Sequence, residues 1–180
     1  MKTAIRLTVG VMVLTGMILT GRAEAATANG PYYAEPSWDQ KLDAATRFVV
    51  LLNWNSEAVL DRETGLVWEQ SLDATAQTWQ NAQGACIHKT VGNRKGWRLP
   101  TIQDLASLID PSVPFPGPTL PLGHPFSNVG GSGIWSATSF ASNTGFAWLM
   151  GFNTGGAGAF NKSDAFFAWC VSGGQAVDPQ

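Results

Sequence analysis

Over most of this chain hydrophobic and polar positions alternate in short runs, and in two places the apolar positions recur at helical spacing. A short apolar run predicts a strand over Phe48 to Leu52, and strands continue over Ala58 to Asp61 and Leu66 to Trp68, separated by turns at Asn53 to Ser56 and at Thr64-Gly65. A helix is predicted over Thr75 to Lys89, because Trp79, Ala82 and Cys86 fall on one face. A second is predicted over Thr101 to Asp110. Thr101 stands at its N-cap, Asp104 at the capping-box position, and Ile102, Leu105, Leu108 and Ile109 form its apolar stripe; Pro111 is the expected stop. The segment from Pro111 to Gly133 holds six of the ten prolines and has neither period. Ordered loops of that length are uncommon and often functional, the alternative being a packed excursion with no role. Strands return at Ile134 to Thr138, Phe146 to Asn153, Ala159-Phe160 and Phe166 to Val171, with Phe146, Trp148, Met150 and Phe152 on one side of the second. Two central helices between groups of antiparallel strands make an α+β domain.

The first 25 residues follow a different rule. Lys2 and Arg6 precede an apolar, uncharged run from Leu7 to Thr20, and Ala23-Glu24-Ala25 supplies small residues at a cleavage position. This is the three-part pattern of a secretory signal peptide. The run is short for a membrane span, so no membrane insertion is expected after cleavage. The expected organisation is a signal peptide (1–25), a linker or arm (26–46), the domain (47–174) and a short tail (175–180). An exported protein is expected, in the periplasm, at the cell surface or released.

Composition sharpens this. Charged residues are 13% of the 180, about half the usual share, while tryptophan is abundant at eight. A chain this apolar is not disordered. Loss of residues 1–25 removes three of 11 basic and one of 13 acidic residues, which leaves 8 and 12 and a net charge of −4. Only Arg94, Lys95 and Arg98 cluster, so no nucleic-acid partner is expected. Cys86 and Cys170 are the two cysteines. In an oxidising compartment their default is a disulfide, the alternative being two buried thiols. With His88 and His124 they give no known metal spacing, and no metal or other cofactor is expected. No nucleophile elbow or phosphate-binding glycine loop is present, and a non-enzymatic role is expected.

Several motifs occur in a fixed order: Thr64-Gly65-Leu66-Val67-Trp68-Glu69, Trp79 with Cys86, and Gly96-Trp97-Arg98-Leu99-Pro100-Thr101. Asp104-Leu105, Trp135-Ser136-Ala137-Thr138, Ala147-Trp148 and Cys170-Val171 follow. From Phe48 to Gly174 the chain resembles the bacterial domain named after the C-terminal part of the Legionella collagen-like adhesin. The resemblance implies a C-type-lectin-like fold, akin to that of formylglycine-generating enzyme, and an exported or surface protein. The adhesin that names the family binds sulfated glycans and host surfaces. Two departures bear on that ligand. The family's last strand usually reads Arg-Cys-Val-Arg, whereas Trp169-Cys170-Val171-Ser172 has neither arginine, and Asp104-Leu105 replaces a usual Glu-Leu pair. The cysteine pair of formylglycine-generating enzyme and the Glu-Pro-Asn or Gln-Pro-Asp calcium signature of sugar-binding lectins are both missing.

The motif residues Trp68, Trp97, Arg98, Leu99, Pro100, Thr101 and Trp135 read as structural. Trp97 fills the core, Arg98 pairs with Asp104 or Asp110 or caps carbonyls, and Pro100 holds Leu99 extended. Trp79, Trp148 and Trp169 also read as core. Polar residues gather in the turns of the late strands: Ser139, Ser142, Asn143, Thr144, Asn153, Asn161, Lys162 and Ser163. Such turns are either merely solvated or a recognition surface. On the second reading Asn143, Asn153, Asn161 and Lys162 take sugar hydroxyls while Trp148 or Phe152 stacks on a ring. A cell-surface glycan is the favoured partner and an envelope or host protein the other; a structural envelope protein with no ligand and an enzyme of unknown chemistry are the remaining alternatives.

Overall fold

The computed structural model describes residues 42–131 and 133–174. The segment expected to be a signal peptide, the expected arm up to residue 41 and the expected tail 175–180 lie outside the described residues. No described helix is long and apolar enough to cross a membrane.

Two antiparallel sheets and two short helices confirm the α+β class. A helical turn, α1 (Ala44–Arg47), leads into β1 (Phe48–Val50), β2 (Ala58–Asp61) and β3 (Val67–Glu69). These strands form a meander. Its tight turn is made by Gly65 at φ +71°, a backbone state that side-chain-bearing residues rarely adopt. The sheet is completed by β4 (Trp97–Arg98) and β8 (Val171–Ser172), in the order β1-β2-β3-β8-β4. The last described strand, β8, is therefore inserted between β3 and β4. Ala44, within the segment read as an arm, is already buried.

The helix α2 (Trp79–His88) starts four residues later than the periodicity suggests. Gln77 is drawn instead into a β-bridge with Phe166, exchanging both backbone bonds with it. Long-range pairing wins over local propensity there. Ala82 and Cys86 point inward and Trp79 is half-buried. The helix α3 (Ile102–Ala106) is also shorter than expected, and it ends before Pro111 acts. Leu108 and Ile109 continue as tighter turns, bonded to Leu105 and Ala106 three residues back. At its start the capping box is complete: Asp104 N–H donates to Thr101 Oγ1, and Thr101 N–H donates to Asp104 Oδ2. Such a cap contributes about 1 kcal/mol.

The second sheet is a plain meander of β5 (Gly133–Ser139), β6 (Phe146–Gly151) and β7 (Gly156–Asn161). The expected strand over Phe166 to Val171 is reduced to β8. Phe166 and Phe167 make single bridges, to Gln77 and Ile134, and serve as the seam between the two sheets.

Two apolar clusters fill the interior. One is aromatic: Trp169 packs against Trp68, Phe126 and Phe152, with ring centroids 5.2, 4.9 and 5.7 Å away. The other surrounds Cys86 and Cys170, which form a disulfide buried among Trp97, Trp135 and Leu149. The Pro-rich segment wraps the aromatic cluster and contributes Leu120 and Phe126 to it, while Phe115 and Leu122 stay exposed.

Candidate functional site

The Trp97-to-Thr101 motif is built into the scaffold. Trp97 is buried and donates from Nε1 to the Arg94 carbonyl at 3.0 Å. Arg98 reaches Asp104 Oδ2 at 2.8 Å and the Gly173 carbonyl at 2.9 Å, joining β4, α3 and the end of β8. Leu99 and Pro100 are buried, and the Pro100 carbonyl accepts from Ala137 N–H at 2.6 Å. None of this leaves a donor set facing a ligand. A shallow cavity of about 150 Å³ adjoins it, lined by Thr64, Leu66, Gln103, Asp104, Ser107 and Gly174. That is well below the 300–1,000 Å³ of ordinary ligand pockets.

The polar turns are different. The register pairs Phe146 with Asn161, so the Phe140–Gly145 turn and the Asn161–Ala165 turn lie side by side at one end of the second sheet. Asn143 Oδ1 accepts from Gly145 N–H at 3.0 Å, and Asn161 Oδ1 accepts from Ser163 N–H at 3.0 Å. These side-chain-to-backbone bonds fix both turns. A bond from Lys162 N–H to the Gly145 carbonyl, 2.9 Å, ties one to the other. Asn143, Asn161, Ser142, Thr144 and Ser163 are exposed. The structure thus presents amides and hydroxyls from two adjoining rigid turns.

Behind them sits a cation on an indole. Lys162 Nζ lies 3.9 Å from the Trp79 ring centroid and donates to Ser139 Oγ at 2.8 Å. Trp79 is itself held, donating from Nε1 to the Ser136 carbonyl at 2.7 Å and from its backbone to Lys162 at 3.1 Å. Sequence pattern placed Trp79 only on a helix face. The later helix start puts it in the first turn, beside Lys162, a juxtaposition that only tertiary pairing reveals.

Two candidates fall elsewhere. Phe152 is fully buried against Trp169, because β6 packs both of its faces and carries Phe152 inward; it does not face solvent. Asn153 follows the opposite end of β6, about 17–20 Å along the strand from Asn143 and Asn161. Trp148 is half-buried, edge-on to Phe140 at 5.5 Å, on the side shared with Asn161. Of the tryptophans read as core, Trp68, Trp135 and Trp169 are fully buried while Trp79 and Trp148 keep part of their surface.

Among titratable groups, His88 is exposed and His124 stacks on Phe126 at 5.9 Å. Burial lowers the His124 pKa, and its Nδ1 has no partner. No described carboxylate pairs with either histidine. No group of three His, Cys, Asp or Glu among the described residues is placed to hold a metal ion. Glu69 is buried, accepting from Lys89 Nζ at 2.8 Å and from the Cys170 N–H at 2.8 Å. Burial raises its pKa above 4.5 against the pull of these partners. Burial acts to lower the Lys89 pKa, but Glu69 and Asp73 more than offset it and leave it raised above 10.5.

Glu69 holds its proton more tightly folded than unfolded. It therefore favours the fold in acid, and that contribution is lost as pH rises from 4.5 through the folded value. Lys89 contributes fully below 10.5 and loses that contribution as pH rises through its own raised folded value. Urea midpoints across pH should show a fall just above 4.5 in the wild type and a shallower one in Glu69→Gln. Identical slopes would remove Glu69 as its source.

In comparison with known families, the model of the Lcl C-terminal domain matches residues 57–172. That range runs from the residue before β2 to the end of β8, and it includes both disulfide cysteines and the paired turns. A search of curated proteins finds no match.

Proposed function

We propose that this chain, which belongs to the Lcl C-terminal domain family, is an exported, non-enzymatic, adhesin-like binding module that recognises cell-surface glycans through the paired turns of its second sheet. The carrying observation is the side-by-side placement of the turns that hold Asn143 and Asn161, each an exposed residue whose side chain accepts from a backbone N–H of its own turn. Sugar hydroxyls both donate and accept, and they are matched by amides held on rigid loops. Export rests on the signal-like N-terminus, and the buried disulfide accords with it. The scaffold is read as C-type-lectin-like from the family. The ligand is read as a neutral or weakly charged saccharide. Lys162 is engaged by Trp79 and Ser139, and Arg98 by Asp104, so neither is offered to sulfate groups.

A glycan array probed with the protein lacking residues 1–25 tests this. A defined subset of glycans should bind. Asn143→Ala with Asn161→Ala should weaken that binding about tenfold, at roughly 0.5–1.5 kcal/mol for each neutral hydrogen bond. An empty array, or a double variant that binds unchanged, would refute the assignment.

A second reading, contact with a protein partner, draws on Phe115 and Leu122, which are 72% and 93% exposed on the Pro-rich segment. Apolar side chains at such positions suit a protein surface better than a sugar.

A further inference from the structure

The outer strand of the second sheet carries none of the features that usually keep sheet edges apart. Its sequence, Gly156-Ala157-Gly158-Ala159-Phe160-Asn161, has no charge and no proline. Its register with β6 runs unbroken through six pairs, so no bulge twists it away. From Ala157 to Phe160 it makes its ladder with β6 and no other backbone bond to a described residue. Edge strands are ordinarily protected by lysines, prolines, bulges or covering segments. The other edge of this sheet is closed, since β5 is bridged at Ile134 by Phe167.

We infer that β7 is a self-association edge, pairing antiparallel with β7 of a second copy to make one continuous six-stranded sheet. Three observations favour a copy of this chain as the occupant. First, a two-fold axis normal to the sheet makes the new ladder antiparallel, as within the sheet itself. Second, an uncharged strand meeting itself brings no like charges opposite each other, the usual penalty of self-pairing. Third, its side chains complement one another under that axis. Opposed residues must lie on the same face, so the axis passes through a residue. With Gly158 on the axis, Phe160 lies opposite Gly156 of the copy; with Ala159 on the axis, it lies opposite Gly158. In both registers the one large side chain, 40% exposed, meets a glycine. Aromatic rings opposite glycine are a favourable cross-strand pairing. Glycine already accommodates this ring within the chain, since it lies over Gly158 of its own strand, 5.1 Å from Phe166.

Sedimentation equilibrium on the protein lacking residues 1–25 tests the inference. The expected mass is that of a dimer, dissociating on dilution. Ala157→Lys places a cation on the exposed edge and should give a monomer with unchanged near-ultraviolet circular dichroism. Amide exchange supplies the independent reading, because β7 amides should be protected at high concentration and exchange faster on dilution. A monomer at all concentrations overturns the inference. So does a dimer that persists in Ala157→Lys, or β7 exchange that ignores concentration.

Discussion

Replacing Cys86 and Cys170 together by alanine is expected to lower stability by about 4–5 kcal/mol, a large part of what a domain of this size possesses. The bridge closes 84 residues of chain and joins α2 to the residue preceding β8. Without it the unfolded ensemble regains the freedom that the long loop removes, and this entropy grows with the logarithm of loop length. Packing adds to the effect, since both sulfurs sit inside the cluster of Trp97, Trp135 and Leu149. Urea unfolding checks it. The midpoint should fall steeply in the double variant, dithiothreitol should lower the wild-type midpoint similarly, and the double variant should not respond to dithiothreitol. A change below about 1 kcal/mol would show that the bridge does not constrain the unfolded chain as its loop length implies.

The second large effect lies at the opposite side of the first sheet. Arg47 is fully buried and grips Asp61, also fully buried, through two bonds of 2.8 and 2.7 Å. Its guanidinium also donates to the Ser107 carbonyl at 2.8 Å and lies 3.1 Å from Glu63. Glu63 in turn accepts from Leu42 N–H at 2.7 Å. One side chain thereby fastens α1, the β2–β3 hairpin and the end of α3. Arg47→Ala should cost about 3–5 kcal/mol, most of it from leaving the Asp61 carboxylate buried without its cation. Arg47→Ala combined with Asp61→Ala should cost less than Arg47→Ala alone, because the stranded charge is gone. Arg47→Lys should rescue only in part, since an ammonium cannot match the two-pronged geometry. Chemical denaturation of the wild type, Arg47→Ala, Asp61→Ala and the double variant closes the cycle. Strict additivity would mean the pair is not coupled.

Much of this scaffold was legible in the residues. The capping box at Thr101 and Asp104, the turn at Gly65 and the pairing of the two cysteines each depend on local chemistry or on few candidates, whereas for Arg98 the residues left Asp104, Asp110 and backbone carbonyls open, and the fold gives it Asp104 and the Gly173 carbonyl. What escaped depends on partners distant in sequence. Nothing near Arg47 announces that Asp61 and Ser107 will surround it. The Gln77–Phe166 bridge shortens α2 at one end and dissolves most of the expected last strand at the other. The site divides in the same way. Asn143 and Asn161 were recognisable as turn residues, but the adjacency of their two turns follows from the β6–β7 register. Phe152 fits an alternating strand pattern with one wet face, and it was misplaced because β6 is packed on both sides. Trp79 and Lys162 are far apart in the chain, and only the folded structure stacks them.

The central claim is that ligands meet this domain at the paired turns. Its most direct test is a nuclear magnetic resonance titration of the protein lacking residues 1–25 with a glycan selected on the array, followed at the backbone amides and tryptophan indoles. The account predicts shifts concentrated in residues 140–145 and 161–165 and at the Trp79 indole, with the 111–131 segment unmoved. Shifts centred on Phe115 and Leu122, or spread evenly over the domain, would contradict it.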